Sequence, residues 1–146
     1  MKARADFATA EALIRQRVED WLNALRAKDI DSVMSLYAPN LVSFDLAPPL
    51  RRGADGKRRA WQEMFAALSG PFDYEVRDLN VTTNGELACV HSLNHVNATL
   101  PGGPIDMWLR WTACFRHIDG AWLVVHDHVS VPADPVHGKA VLNLKP

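Results

Sequence analysis

The sequence is poor in cysteine. It holds two in 146 residues, and neither Cys89 nor Cys114 stands in a CxxC or Cys/His zinc spacing. That excludes a disulfide-stapled scaffold and a structural zinc site. Both fall in strand-like runs, where free thiols buried in a reducing compartment are the expectation. No apolar run is long enough to span a bilayer. The first residues are polar and charged with no apolar stretch behind them, so no secretory leader is expected either. The formal charge of -1 gives no support to a nucleic-acid surface. The basic cluster at Arg51-Arg52 and Lys57-Arg58-Arg59 is short and reads as a solvated helix start. Internal repeats, low-complexity segments and linkers are all missing. The expectation is one soluble, cytoplasmic domain over residues 1–146.

What the sequence does have is a sharp division between halves, with 48% hydrophobic residues to supply a core. Residues 9–28 predict a helix, because Phe7, Ile14, Val18, Trp21, Leu22 and Leu25 recur at helical spacing on one face. Asp29 or Asp31 caps a short second helix that Pro39 is expected to stop. A brief strand follows over 41–46. A third helix from the Gly53-Ala-Asp55-Gly turn to Leu68 places Trp61, Met64, Phe65 and Leu68 at i, i+3, i+4 and i+7. From there on the pattern is strand. The runs 72–82, 87–100, 105–117 and 121–131 are separated by Asn84-Gly85, by Pro101-Gly-Gly-Pro104 and by Asp119-Gly120, which are turn signals. Residues 133–146 read as an irregular tail. Three amphipathic helices and a long antiparallel meander predict an α+β cone. In it a curved, mostly antiparallel sheet has three N-terminal helices packed on its concave face and encloses a pocket.

The most informative stretch is Gly120-Ala-Trp-Leu-Val-Val-His-Asp-His-Val-Ser-Val-Pro132. Strict alternation along a strand puts Trp122, Val124, His126, His128 and Ser130 on one face and Leu123, Val125, Asp127, Val129 and Val131 on the other. One face thus runs from apolar to polar, as a strand does when it passes from a core into a site. His126 and His128 suit acid–base work because imidazole titrates near neutrality. His-x-His is also a metal spacing, but His91, Asp106 and Asp127 complete no recognised ligand pattern, and no metal is expected. Trp108 and Arg110 share a face of the 105–117 strand. They read either as a site for an aromatic or anionic ligand or as a solvent-side pair. Asn94 is a candidate to position a substrate carbonyl or hydroxyl. The alternative for Asn94 is satisfying backbone beside a bulge. Trp61, Phe65 and Tyr37 read as core.

Three strings carry a family likeness: Ala27-Lys-Asp-Ile-Asp-Ser-Val-Met-Ser-Leu-Tyr37-Ala-Pro-Asn40, Val42-Ser-Phe-Asp-Leu-Ala-Pro-Pro49 and the Asp119–Pro132 stretch. With the element order they make the chain resemble the SnoaL-like branch of the nuclear-transport-factor-like, ketosteroid-isomerase-like superfamily, over nearly its whole length. The resemblance implies a cone with an internal pocket. It implies that Asp45 stands where the isomerases carry their aspartate base, and that Trp21 stands where they carry an oxyanion-hole tyrosine. Scytalone-dehydratase-like members work with histidine and aspartate in the same cavity. The expected protein is a small-molecule enzyme of the isomerase or dehydratase kind, acting without a cofactor. Asp45, His126 and His128 would be catalytic, and Trp21, Trp61, Asn94, Trp108 and Arg110 would hold a small hydrophobic or aromatic substrate. It is expected to pair as a homodimer through the outer sheet face. The alternative is a non-catalytic ligand-binding or assembly module of the same fold.

Overall fold

The computed structural model describes residues 2–146, with side chains described from Phe7 onward. The described residues form helices α1 (Lys2–Ala27), α2 (Ile30–Met34) and α3 (Ala54–Ala67) and five long strands. The strands are β1 (Tyr37–Phe44), β2 (Phe72–Asn84), β3 (Leu87–Leu100), β4 (Gly103–Ile118) and β5 (Ala121–Ser130). Two short strands, β6 (Ala133–Asp134) and β7 (Lys139–Ala140), pair in the segment predicted to be irregular. The fold is the predicted α+β architecture: a curved, unclosed five-stranded sheet in the order β1-β5-β4-β3-β2. All neighbours are antiparallel except β1, which runs parallel to β5. Among the described residues no helix is long and apolar enough to cross a membrane.

Local chemistry explains the boundaries. Asp29 caps α2, accepting from the Ser32 amide at 3.2 Å and from the Ser32 hydroxyl at 2.6 Å. Pro39 does not stop that helix. It ends at Met34, and Tyr37 already opens β1. Pro39 instead lies in an irregular part of β1 between Tyr37 and Val42, where a missing N–H costs no ladder bond. Gly53 is the N-cap of α3. At the β4–β5 hairpin Asp119 and Gly120 both adopt positive φ (49° and 84°), as a tight turn matched to strand twist requires.

The core lies between the sheet's concave face and α1. Ile14, Val18, Trp21, Leu22 and Leu25 of the predicted helical stripe are all buried, against Val90, Trp111, Phe115 and Val124 of the sheet. Arg17 ties the helix down by donating to the carbonyls of Trp122 and Ser35.

One irregularity decides what faces the interior. In the β4–β5 ladder Phe115 pairs with Val124 and Cys114 with His126, so Val125 has no partner and forms a bulge. An extra residue shifts the alternation by one. Trp122 and Val124 point inward, as predicted. Beyond the bulge it is Asp127, 1% exposed, that points inward, while His128 is exposed. The expected sharing of one face by Trp122, Val124, His126 and His128 is therefore corrected.

Phe115 is fully buried and among the largest such side chains. Phe115→Ala removes that packing and leaves a cavity, and is expected to cost about 3–5 kcal/mol, measured by urea denaturation. A loss below about 1 kcal/mol would contradict this placement of the core.

Candidate functional site

The open end of the cone holds a cavity of about 220 Å³. Its walls are largely apolar and aromatic: Trp21 from α1, Trp61 and Met64 from α3, Phe72 and Tyr74 from β2, Trp111 from β4. Trp21 is the hub. It stacks on Trp111 at 5.8 Å between centroids with 10° between planes, and meets Tyr74 and Trp61 edge-on.

Set into this apolar wall is a charged cluster. Lys57, 3% exposed, extends from the first turn of α3. Its ammonium donates to Asp45 Oδ2 at 3.0 Å and to Ser43 Oγ at 3.3 Å, and lies 3.4 Å from Asp127 Oδ2. The same ammonium sits 5.7 Å from the centre of the Tyr37 ring. Asp127 Oδ2 also accepts from the Trp111 indole at 3.4 Å. Arg52 approaches Asp45 Oδ2 from the solvent side at 3.7 Å. The Arg52 backbone forms a two-bond bridge with Ser43, 2.8 Å each way, which holds the loop after β1 over the cavity. A buried ammonium is costly unless opposite charges and hydrogen bonds surround it, and here two carboxylates do. The pair is unequal. Asp127 is sealed in the interior, whereas the Asp45 side chain keeps 19% exposure at the cavity mouth.

Four buried polar atoms on the cavity walls form no hydrogen bond with the described residues: Trp21 Nε1, Trp61 Nε1, Asp127 Oδ1 and Arg52 Nε, the last of which faces Asp45 at 3.7 Å. Three are donors and one is an acceptor, so the apolar hollow presents groups able to bind a ligand's carbonyl and hydroxyl oxygens. Behind the wall, the Ser92 hydroxyl donates to Asn94 Oδ1 at 2.6 Å, and Asn94 Nδ2 donates to the Tyr74 hydroxyl oxygen at 3.0 Å. Asn94 thus orients Tyr74 and does not line the cavity.

The structure brings together Asp45, Trp21 and Trp61 of the residues singled out from sequence, with Asn94 one layer behind. The others face away. His126 and His128 stand on the convex face beyond the Val125 bulge, edge-on to Phe44. His126 Nδ1 bonds the Val42 carbonyl at 2.6 Å. Trp108 and Arg110 are also on the convex face, because Leu109 and Trp111 take the inward positions of β4. Trp108 stacks on His95 and under the Arg77 guanidinium, and Arg110 donates to Ser130 Oγ and to the Val131 carbonyl, which is the solvent-side reading. The two cysteines depart from expectation too: Cys89 is exposed and Cys114 half-buried. Sequence reasoning missed Lys57, Asp127, Tyr37 and Tyr74. Lys57 had a legible signal, since it lies one turn before Trp61 and shares its helical face with Ala60 and Met64. Asp127 had none, because nothing in the strand marks the bulge.

Burial pushes both phenols up from their ordinary value. For Tyr37, raised well above 10, the nearby Asp127 charge adds to burial, and the Trp61 indole opposes it without completing a hydrogen bond. For Tyr74 burial is opposed by the bond from Asn94 and reinforced by Asp127 and Asp45. Both rings therefore stay protonated in the working range and face the cavity as neutral phenols.

The sequence model of the SnoaL-like domain matches residues 14–134. A solved NTF2-like protein of unknown function from Pseudomonas putida KT2440 is 33% identical, with 95% of this chain and 98% of that one covered at a TM-score of 0.86. A provisionally assigned scytalone dehydratase from Novosphingobium aromaticivorans DSM 12444 is 12% identical, covering 95% of both chains at 0.76. A ketosteroid isomerase-like protein from Erwinia carotovora atroseptica is 21% identical, covering 82% of this chain and 93% of that one at 0.68. At those last two identities the likeness is one of fold. No curated protein matched the sequence.

The chain has only two tyrosines, Tyr37 and Tyr74, which makes their state directly readable. Each has a folded pKa raised above its unfolded value near 10. Their contribution to stability is therefore complete below about pH 10 and is lost as pH climbs from there through the folded values. Ultraviolet titration of the native protein should show no tyrosinate at pH 10–11 and then a single rise coincident with unfolding. A phenolate step in protein that is still folded would refute the burial of one ring.

Proposed function

The chain belongs to the SnoaL-like domain family, and we propose that it is a small-molecule enzyme that moves protons with its own side chains, as an isomerase or a dehydratase. The observation that carries this reading is the Lys57 ammonium fixed between Asp45 and Asp127 in the wall of an aromatic cavity. Apolar walls suit a small hydrophobic or aromatic substrate, and convergent titratable groups suit acid–base work.

Asp45 is the base in this reading. It is the carboxylate that reaches the mouth, and Lys57 and Arg52 fix its orientation. It takes a proton from the carbon next to a substrate carbonyl. The indole N–H groups of Trp21 and Trp61 donate to that carbonyl oxygen as negative charge grows on it. Protonated Asp45 then returns the proton to a second carbon, which is isomerisation, or to a departing hydroxyl, which is dehydration. Asp127 stays behind Lys57 and keeps the ammonium in place. The histidines first considered for the acid role have no access to the cavity. The β1 edge of the convex face, with Val42 and Phe44 40% and 42% exposed, is the surface for a homodimer, and the β3–β4 part of that face stays open to solvent. A monomer in sedimentation velocity would exclude that pairing.

Proton abstraction can be tested without the native substrate. With 2-tetralone as probe in deuterium oxide, the wild-type protein should accelerate α-proton exchange followed by NMR. Asp45→Asn should slow that exchange at least about 100-fold while tryptophan quenching by the ketone persists. Exchange no faster than buffer, or undiminished in the variant, would remove the assignment. Quenching without exchange would favour the ligand-binding module.

A further inference from the structure

The convex face carries a second kind of chemistry, independent of the cavity. In the β3–β4 ladder Cys89 lies directly opposite Cys114. Both side chains point outward, because the flanking Ala88, Val90, Ala113 and Phe115 are buried on the concave side. Directly opposed residues of an antiparallel pair have Cα atoms about 4.5 or 5.5 Å apart. Either separation lies inside the span of about 4.4–6.8 Å that a disulfide bridges. We propose that Cys89 and Cys114 are a reversible thiol–disulfide site, closing to a cross-strand bridge on the outside of the sheet when exposed to a disulfide oxidant such as glutathione disulfide.

The surroundings give the two thiols different parts. Cys89 is exposed and Cys114 half-buried. Burial, with Cys89 beside it, pushes the Cys114 thiol up, so Cys89 is the first to react. The Cys89 thiolate attacks one sulfur of glutathione disulfide. A Cys89–glutathione bond forms, the glutathione S–S bond breaks, and one glutathione thiolate leaves. Cys114 loses its proton and attacks Cys89 Sγ, forming the protein bridge and expelling the second glutathione. Two protein thiols are oxidised and one glutathione disulfide is reduced to two thiols. His126 is the residue opposite Cys114 on β5. Its Nδ1–H donates to the Val42 carbonyl, so the neutral ring carries its lone pair on Nε2, on the same outer row as the thiols.

A bridge between adjacent strands is geometrically constrained and, at this surface, open to solvent. Those are the features of labile disulfides that respond to the redox poise. It would staple the middle of the sheet behind Val90, Ala113 and Phe115. The cavity is lined by other positions of the same strands, Val96, Leu109 and Trp111, so ligand binding there is unaffected.

The test is oxidation of the reduced full-length protein in graded mixtures of reduced and oxidised glutathione, followed by alkylation and intact-mass and peptide mapping. The expected product has lost two hydrogens, yields a linked Cys89–Cys114 peptide, reverts with dithiothreitol and unfolds at a higher temperature than the reduced form. Quenching by 2-tetralone is unchanged. Cys114→Ser should accumulate glutathione on Cys89, since the resolving thiol is gone. Separate glutathiones on both cysteines of the wild type, links only between chains, or free thiols at an excess of glutathione disulfide would each overturn the proposal.

Discussion

A single buried ammonium holds the functional end of this molecule together. Lys57 belongs to α3, Ser43 and Asp45 to β1 and the turn after it, Asp127 to β5, and all three elements meet at its nitrogen. Asp127 could not sit in so apolar a hollow without it, and it could not be buried without the carboxylates. Losing Lys57 leaves Asp127 buried without a counter-charge, so geometry at the cavity wall is enforced more strictly than apolar packing alone would enforce it. The aromatic shell around it excludes water and strengthens every charge interaction within.

The two faces of the sheet divide the chemistry. The concave face carries the cavity, with its neutral phenols, indole donors and paired carboxylates. The convex face carries histidines, the Trp108 stack and the opposed thiols. A single unpaired residue, Val125, determines which residues fall on which side. Were Val125 to take a ladder position of its own, strict alternation would turn Asp127 to solvent and His126 into the core, an imidazole in place of a carboxylate against Lys57.

Much of this was legible in the chain. The helical stripe from Ile14 to Leu25, the turn at Asp119-Gly120, the pocketed cone and the placement of Asp45, Trp21 and Trp61 follow from periodicity, turn chemistry and family likeness. What was hidden has a physical reason in each case. Trp108 and Arg110 were correctly paired on one face, but alternation alone does not say which face is inside. Lys57 was masked by Arg58 and Arg59, whose neighbouring charges suggest a solvated run, although helical geometry turns only Lys57 inward. Asp127 and the histidines exchanged sides at a bulge made of ordinary β-branched residues, with no glycine or proline to announce it.

The placement of β1 beside β5 bears on how the chain is made. Apart from the Ser43–Arg52 bridge, residues 37–44 pair with residues 124–128, a separation spanning most of the domain. Emerging from a ribosome, the first strand must wait for the last long strand before it joins the sheet. Lys57 has Asp45 close by in the chain, but its second carboxylate, Asp127, arrives only with that strand.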